Sequence, residues 1–317
     1  MSDIQPSLAR VSPLLRGVAI DYKNRADAFV ASIIMPEFGV PEKTGIYYKY
    51  DKSALRLEDT NRAVGEASNE ATFGLSQVSF GPIQDHALKH FTDDDTAKIM
   101  GGMDKAKLVA TANLTQLMLI NRESNLATQL SNTSVLTQNT TLSGTSQWSD
   151  YTSGVSDPVG VIQDGKDAIQ QNAFVQPNVL MFSYLAYASV INHPSIVGRL
   201  NGLTYAAGLD VLATIFGVAK VVVARAAYNT AKQGASDSTS YLWGKHTWLF
   251  YVNPSAATAY NELTFGHTLN VQSDGVGITA KEWRDEDREG DYVRIAMPFE
   301  HKIMAVEAAY LIKDSVA

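Results

Sequence analysis

A chain of 317 residues with 45% apolar and 19% charged side chains has room for about two domains of ordinary size and is not disordered throughout. Its 26 Lys and Arg against 33 Asp and Glu leave a net charge of −7, which repels nucleic acid and anionic membrane at long range and argues against a dedicated DNA reader. The absence of cysteine excludes disulfides, thiol catalysis and cysteine-ligated zinc. No run reaches the roughly 18 apolar residues of a membrane span, since residues 211–223 are interrupted by Lys220 and preceded by Asp210. The N-terminus has an acid, Asp3, where a secretion signal wants a base, so a soluble protein that stays in the cytoplasm is expected.

In chain order, residues 1–45 mix Val11, Leu14, Leu15 and Val18 with Pro6, Pro13, Pro36 and Pro41, and each proline pushes its predecessor out of helical geometry. One helix is expected there, over 24–34. The segment cannot bury its apolar groups within itself and reads as an arm lying across something else, or as a frayed terminus. Two strands are expected at 45–52 and 72–83, from the aromatic run at Tyr47, Tyr48 and Tyr50 and from Phe73, Leu75, Val78 and Phe80. Between them lies a polar stretch with Arg56, Glu58, Asp59, Arg62, Glu66 and Glu70. A connection of about 20 residues without a core of its own is uncommon inside a compact domain, and its mixed charges suit contact with a neighbour.

Thr92 followed by Asp93, Asp94 and Asp95 reads as a capping box, with Thr92 as cap and Asp95 as the reciprocal partner. The helix it opens is expected to continue to about Leu130, on the order of 55 Å, with a bend at Gly101 and Gly102. Residues 131–156 lack Lys, Arg and Glu and read as a linker. Asp157 and Pro158 then start a helix to about 171. Buried strands are expected at 179–182, 220–224 and 248–252, with helices at 184–191 and 209–216 and a break at His193 and Pro194. Two final strands, 292–297 and 302–312, flank Pro298 and are read as returning to the first half.

Among the six histidines only His86 and His90 lie close together, and their spacing of four puts both on one face of either a helix or a strand. With Asp93, Asp94 and Asp95 nearby, a metal-dependent hydrolase is one function to weigh, although no glutamate lies between the histidines and capping accounts for the acids. Tyr47 to Tyr50 and the stretch from Trp243 to Trp248 interleave aromatic and basic residues as single-strand nucleic-acid platforms do, but strand packing explains alternate aromatics as well. No dinucleotide fingerprint, P-loop or nucleophile elbow is present.

The order of elements, together with Ala-Ile-Asp-Tyr-Lys-Asn at 19–24, Tyr-Tyr-Lys-Tyr-Asp at 47–51, Ser-Gly-Thr-Ser-Gln-Trp-Ser-Asp at 143–150, Asn-Val-Leu-Met-Phe at 178–182 and Tyr-Leu-Ile-Lys-Asp at 310–314, resembles the major capsid proteins of tailed bacteriophages, whose fold is shared with encapsulin shells. The resemblance covers nearly the whole chain. It implies an α+β subunit with an N-terminal arm (1–45), an extended hairpin loop (46–83), a peripheral domain with the long helix and linker (84–156), an axial domain (157–285) and returning peripheral strands (286–317). It further implies a non-enzymatic protein without cofactors that assembles with itself into hexamers and pentamers of an icosahedral shell. Leu14, Leu15 and Tyr22 of the arm would touch neighbours, as would Arg56, Glu58, Asp59, Arg62, Glu66, Glu70 and Phe73 of the loop.

Double-stranded DNA would be enclosed with weak, non-specific contact, and portal, scaffolding and decoration proteins are possible partners. An encapsulin-type compartment is the alternative within the same fold. The sequence departs from the family in two ways. The arm begins almost at Met1, so scaffolding is expected to be separate or unnecessary. Some related capsids cross-link through a loop lysine, yet residues 53–88 hold none, which implies a shell joined by non-covalent contacts.

Overall fold

The computed structural model describes residues 24–50, 52–152, 154–200, 208–232, 234–253, 262–271 and 278–317. In chain order they form α1 (Ala31–Ile34), β1 (Glu37–Val40), β2 (Gly45–Tyr50), β3 (Leu75–Phe80), β4 (Gln84–Asp93), α2 (Asp94–Met100) and α3 (Met103–Leu130). There follow β5 (Asn139–Thr141), α4 (Pro158–Ala173), β6 (Val179–Ser183), α5 (Tyr184–Val190), α6 (Pro194–Arg199), α7 (Leu209–Phe216) and β7 (Lys220–Ala224). The chain ends with β8 (Ala227–Asn229), β9 (Thr239–Tyr241), β10 (Thr247–Phe250), β11 (Gly266–Val271), β12 (Thr279–Asp285), β13 (Gly290–Ile303) and β14 (Ala309–Lys313).

Two five-stranded sheets carry the fold. In one, β13 is the axis: β4 runs antiparallel along one side of it, β12 and then β11 along the other, and β1 joins β11 in parallel. In the other the order is β5, β14, β10, β6, β7. This second sheet is covered on both faces, which is why its strands read as continuous apolar runs rather than alternating ones. Val179, Met181, Val222, Trp248, Phe250 and Leu311 face α1 and the C-terminal half of α3. The residues between them, Leu180, Phe182, Val221, Leu249 and Ile312, face the layer of α4 to α7. Gly165 of α4 lets that helix lie close to the sheet, since a Cβ there would come within 2.7 Å of Leu249 and 2.9 Å of Tyr310.

The 28 residues of α3 span about 42 Å and bridge the two sheets. Leu114 and Met118 in its first half pack on Val293, Ile295, Met297 and Phe299 of β13, and Leu126, Ala127 and Leu130 enter the core of the second sheet.

Several expectations are corrected. The single helix from 92 to 130 is two, because Gly101 (φ 95°) and Gly102 (φ 122°) adopt left-handed or extended positive-φ conformations that end α2 and restart the chain at α3. Asp93, not Thr92, caps α2, its carboxylate accepting from the Thr96 amide at 2.8 Å, and Thr92 lies buried at the end of β4. The stretch 131–156 is no linker: β5 extends the second sheet, and Leu136, Leu142 and Trp148 are buried.

The expected helix at 24–34 is only a 3-10 turn (Ala26–Ala28) and the four-residue α1, and Val30, Ala31, Ile34 and Met35 fill this subunit's own core. The two final strands do not break at Pro298, because β13 runs unbroken through it to Ile303. The return to earlier strands is made twice, β13 pairing with β4 and β14 lying between β5 and β10 in the second sheet. Strands β1, β4, β5, β8, β9, β11 and β12 lie outside the strands expected from the sequence.

Candidate assembly surfaces

The extended loop projects from a short hairpin. Strands β2 and β3 pair from Gly45 opposite Phe80 to Tyr50 opposite Leu75. Its base is anchored to the body: the Ile83 amide donates to the Lys43 carbonyl, Lys302 Nζ donates to the Ser79 carbonyl, Lys43 pairs with Asp85, and Lys49 and Lys52 lie 3.9 and 3.6 Å from the Glu307 carboxylate. Phe80 packs beside Val40, Ile83 and Leu269, and any Cβ at Gly45 would strike its ring.

Beyond the hairpin the chain has little to hold it. Its hydrogen bonds are local, with Asn69 Nδ2 donating to the Asp59 carbonyl and the Asn61 amide to the Asp59 carboxylate. Arg56, Glu58, Asp59, Arg62, Glu66, Glu70 and Phe73 are all exposed, and none of the six charged groups is in an ion pair with a described residue. Leu57 and Val64 are as open as in an extended peptide, at 102% and 104% exposure. The exposed face of the hairpin adds Ile46, Tyr48 and Leu75. Apolar groups this open, on a segment without a core, form exposed surface of the kind that marks interaction sites. Leu14, Leu15 and Tyr22 lie outside the described residues.

The root of the arm is fastened by a buried polar cluster that sequence reasoning missed. Glu123 of α3 is buried, and its carboxylate accepts from the amides of Val30 (2.9 Å) and Ala31 (3.0 Å) and from the Trp243 indole (2.7 Å). Burial pushes its carboxyl above the ordinary glutamate value against the pull of these three donors. Beside it, Arg122 pairs with Glu37 of β1, and Glu37 also accepts from Asn270 of β11. His301 of β13 lies under the same turn of α3, its Nε2 3.1 Å from the Arg122 carbonyl and its Nδ1 3.0 Å from the Thr268 hydroxyl. Burial pushes this imidazole down to about 4, so it is neutral and donates from Nε2 to the Arg122 carbonyl. The signal for the cluster was present in the sequence: Arg122 and Glu123 interrupt the stripe Leu114, Met118, Leu126, Leu130 on the buried side of a helix.

The histidine and aspartate constellation dissolves. His86 and His90 lie on β4, where His86 stacks on Phe299 at 4.2 Å and His90 borders a shallow cleft with Met100, Ala106 and Asn113. The three aspartates are each employed: Asp93 as the cap, Asp94 in a two-pronged pair with Arg284 at 2.7 Å, Asp95 with Lys98. Among the described residues no group of three or more His, Cys, Asp or Glu side chains converges to hold a metal ion. Arg284 also reaches Asp291, which with Glu282 binds Lys107, so α2 and α3 are clasped to β12 and β13; the Lys107 hydrogen bond holds the Asp291 carboxyl below the usual range. Trp243 and Trp248 are fully buried and pack edge to face, which removes them as a nucleic-acid platform. Among the described residues no helix is long and apolar enough to cross a membrane.

An α+β body with a two-sheet core, a bridging helix and an unsupported charged hairpin loop is the architecture of phage capsid shell subunits. A phage-related protein of Bordetella bronchiseptica RB50 superimposes with a TM-score of 0.70 at 22% identity, over 92% of this chain and 94% of that one. The capsid structure of cyanophage P-SCSP1u shares the fold with a TM-score of 0.63 at 8% identity, over 98% and 92%. No family model matches the sequence. The curated major capsid protein of Burkholderia phage BcepMu is 29% identical over 313 residues, 95% of each chain. Along nearly its whole length the chain is thus similar in sequence to a phage major capsid protein and shares the fold of solved phage capsid subunits.

Proposed function

We propose that the chain is the major capsid protein of a tailed phage, assembling as hexamers and pentamers into a closed shell around double-stranded DNA, and serving as structure rather than catalyst. The observation that carries this is the extended loop, whose open apolar and unpaired charged groups have no use in a lone subunit. In this reading the loop and the arm preceding residue 24 lie across neighbours, the sheet of β4, β13 and β12 with α3 forms the peripheral part, and the β6 sheet with α4 to α7 forms the part around the symmetry axes. In the same reading β11 and β12, which pair with β13, are counted with the peripheral part.

Many individually weak contacts, repeated at every copy, close such a container. A net charge of −7 suits walls that hold packaged DNA loosely enough for it to move in and out. Sedimentation and electron microscopy of the purified protein test the reading. Megadalton particles with pentameric and hexameric units are expected; a small oligomer under all assembly conditions contradicts it. Nuclease-protected DNA in particles from the native host is expected over co-purifying cargo enzymes, which would mark an encapsulin-type compartment instead.

A further inference from the structure

Strand β4 is the outermost strand of its sheet. It pairs with β13 without interruption, from Gln84 opposite Phe299 to Asp93 opposite Gly290, and among the described residues its other edge pairs with nothing. Ten residues with neither a proline nor a bulge leave a long row of open amides and carbonyls, the kind of edge that recruits another strand.

The side chains of β4 alternate between two faces. His86, Leu88 and His90 lie opposite Met297, Ile295 and Val293, on the face that carries α3, and Leu88 is 40% exposed. Asp85, Ala87 and Lys89 share the other face. There Lys89 stands directly opposite Arg294 of β13, which in turn stands opposite Lys281 of β12. Like charges so placed destabilise a sheet, and none of the three is in an ion pair with a described residue. The row of cations ends at the open edge of β4, so a strand added there supplies the next member of the row.

The strand that fits is a second β4. In an antiparallel pairing about a two-fold axis through Ala87, Asp85 of each copy meets Lys89 of the other, His86 meets Leu88, and Gln84 meets His90. Both cation rows then end on a carboxylate, and an imidazole covers each exposed leucine. Asp85 also holds Lys43 of its own subunit, but 60% of its side chain is exposed, which leaves room for a second cation. Other registers lack this match. Centred on Leu88, the pairing sets Lys89 against Ala87 and Asp85 against Phe91; centred on Lys89, it sets that lysine against its own copy and Asp85 against Asp93. The axis stands normal to the sheet, so both copies keep α3 on the same side, as a wall one subunit thick requires.

We propose that the free edge of β4 pairs with the same edge of a second copy across a two-fold axis at Ala87, joining the sheets of two subunits into one. The assignment rests on the reading of the chain as a shell subunit and names a surface by which its copies meet. Residues 84–90 give roughly 24 Å of paired strand and about six to eight main-chain hydrogen bonds. Such a contact gains its strength from repetition over the shell.

A single cysteine tests it, because the chain has none of its own. Directly opposed residues of antiparallel strands have Cα atoms about 4.5 to 5.5 Å apart, within the range a disulfide spans. Oxidised particles of A87C are expected to give a dimer band on a non-reducing gel, and particles of L88C are not. Charge exchange gives an independent reading, scored as particle yield by sedimentation, with circular dichroism and melting to check that each subunit folds. D85K and K89D are each expected to lower the yield about fivefold or more, and D85K/K89D to restore most of it.

Assembled A87C particles without a dimer band overturn the pairing, and dimers from L88C in their place overturn its register. A double exchange no better than the single ones also counts against it. Monomeric A87C in particles whose β4 amides are protected from hydrogen exchange would give the edge to a different strand, and overturns it too. Failure of the unaltered chain to form particles is a separate result, which removes the shell reading itself.

Discussion

The arm's root depends on one buried carboxylate. Glu123 satisfies two main-chain amides at the start of α1 and the Trp243 indole, so Glu123→Ala strands three buried donors in the main core, at a cost of about 3 kcal/mol or more in subunit stability. Glu123→Gln keeps an acceptor oxygen and should cost about 1 kcal/mol. Urea unfolding of the unassembled subunit measures both, and equal midpoints for wild type and Glu123→Ala would contradict the assignment.

His301 makes a different claim, about pH. It stays neutral in the fold down to about 4, whereas an unfolded histidine titrates near 6.5, so the unfolded state binds more protons between these values. Stability present above about 6.5 is therefore lost as pH falls toward 4, by roughly 3 kcal/mol over the full window. His193, His246 and His267 are pushed the same way by burial, while Glu123, shifted upward, works in the opposite sense. Unfolding midpoints should fall between pH 7 and pH 5, and His301→Gln should flatten that slope; a midpoint that stays level in the wild type counts against it.

Among the elements, the loop and α3 stand at opposite extremes of support. α3 is held along its length, by β13 at one end and the second sheet at the other, and substitutions on its buried side act on folding. The loop is held only at the base of its hairpin, so substitutions at its tip should spare folding and, if the proposed function holds, act on assembly. Single surface ion pairs contribute about 0 to 1 kcal/mol, and one reversal should be mild. Arg56→Glu with Arg62→Glu removes both of the loop's cations from every copy of the interface; particle yield should drop sharply while the subunit's melting temperature stays within a degree or two. Unchanged yield would make these charges bystanders.

For the whole molecule, the chemistry of the loop sets how the shell is held. Between 53 and 88 the cations are Arg56 and Arg62, which stay protonated and are poor nucleophiles; of the flanking amines, Lys49 and Lys52 are drawn to Glu307 at the hairpin base and Lys89 sits on β4 over the Tyr292 ring. On the proposed function, a non-covalent shell is expected. Mature particles boiled in detergent should release one band at 34.4 kDa, and a ladder of multimers would refute it.

What the sequence determined by itself was carried by local pattern. Continuous apolar runs marked β6, β7 and β10, Asp157 before Pro158 marked the start of α4, and the charged, coreless stretch 53–74 marked itself as surface, because composition and period act over a few residues. Only the tertiary structure decided where distant pieces meet. It took 131–156 out of a linker and into a sheet edge, since a three-residue strand is stabilised by β14 beside it and Trp148 by the core beneath it. It carried β13 through Pro298 and returned Val30 to Met35 to their own core. It also aligned Lys281, Arg294 and Lys89, three residues that are far apart or unremarkable along the chain and become a row only through strand register.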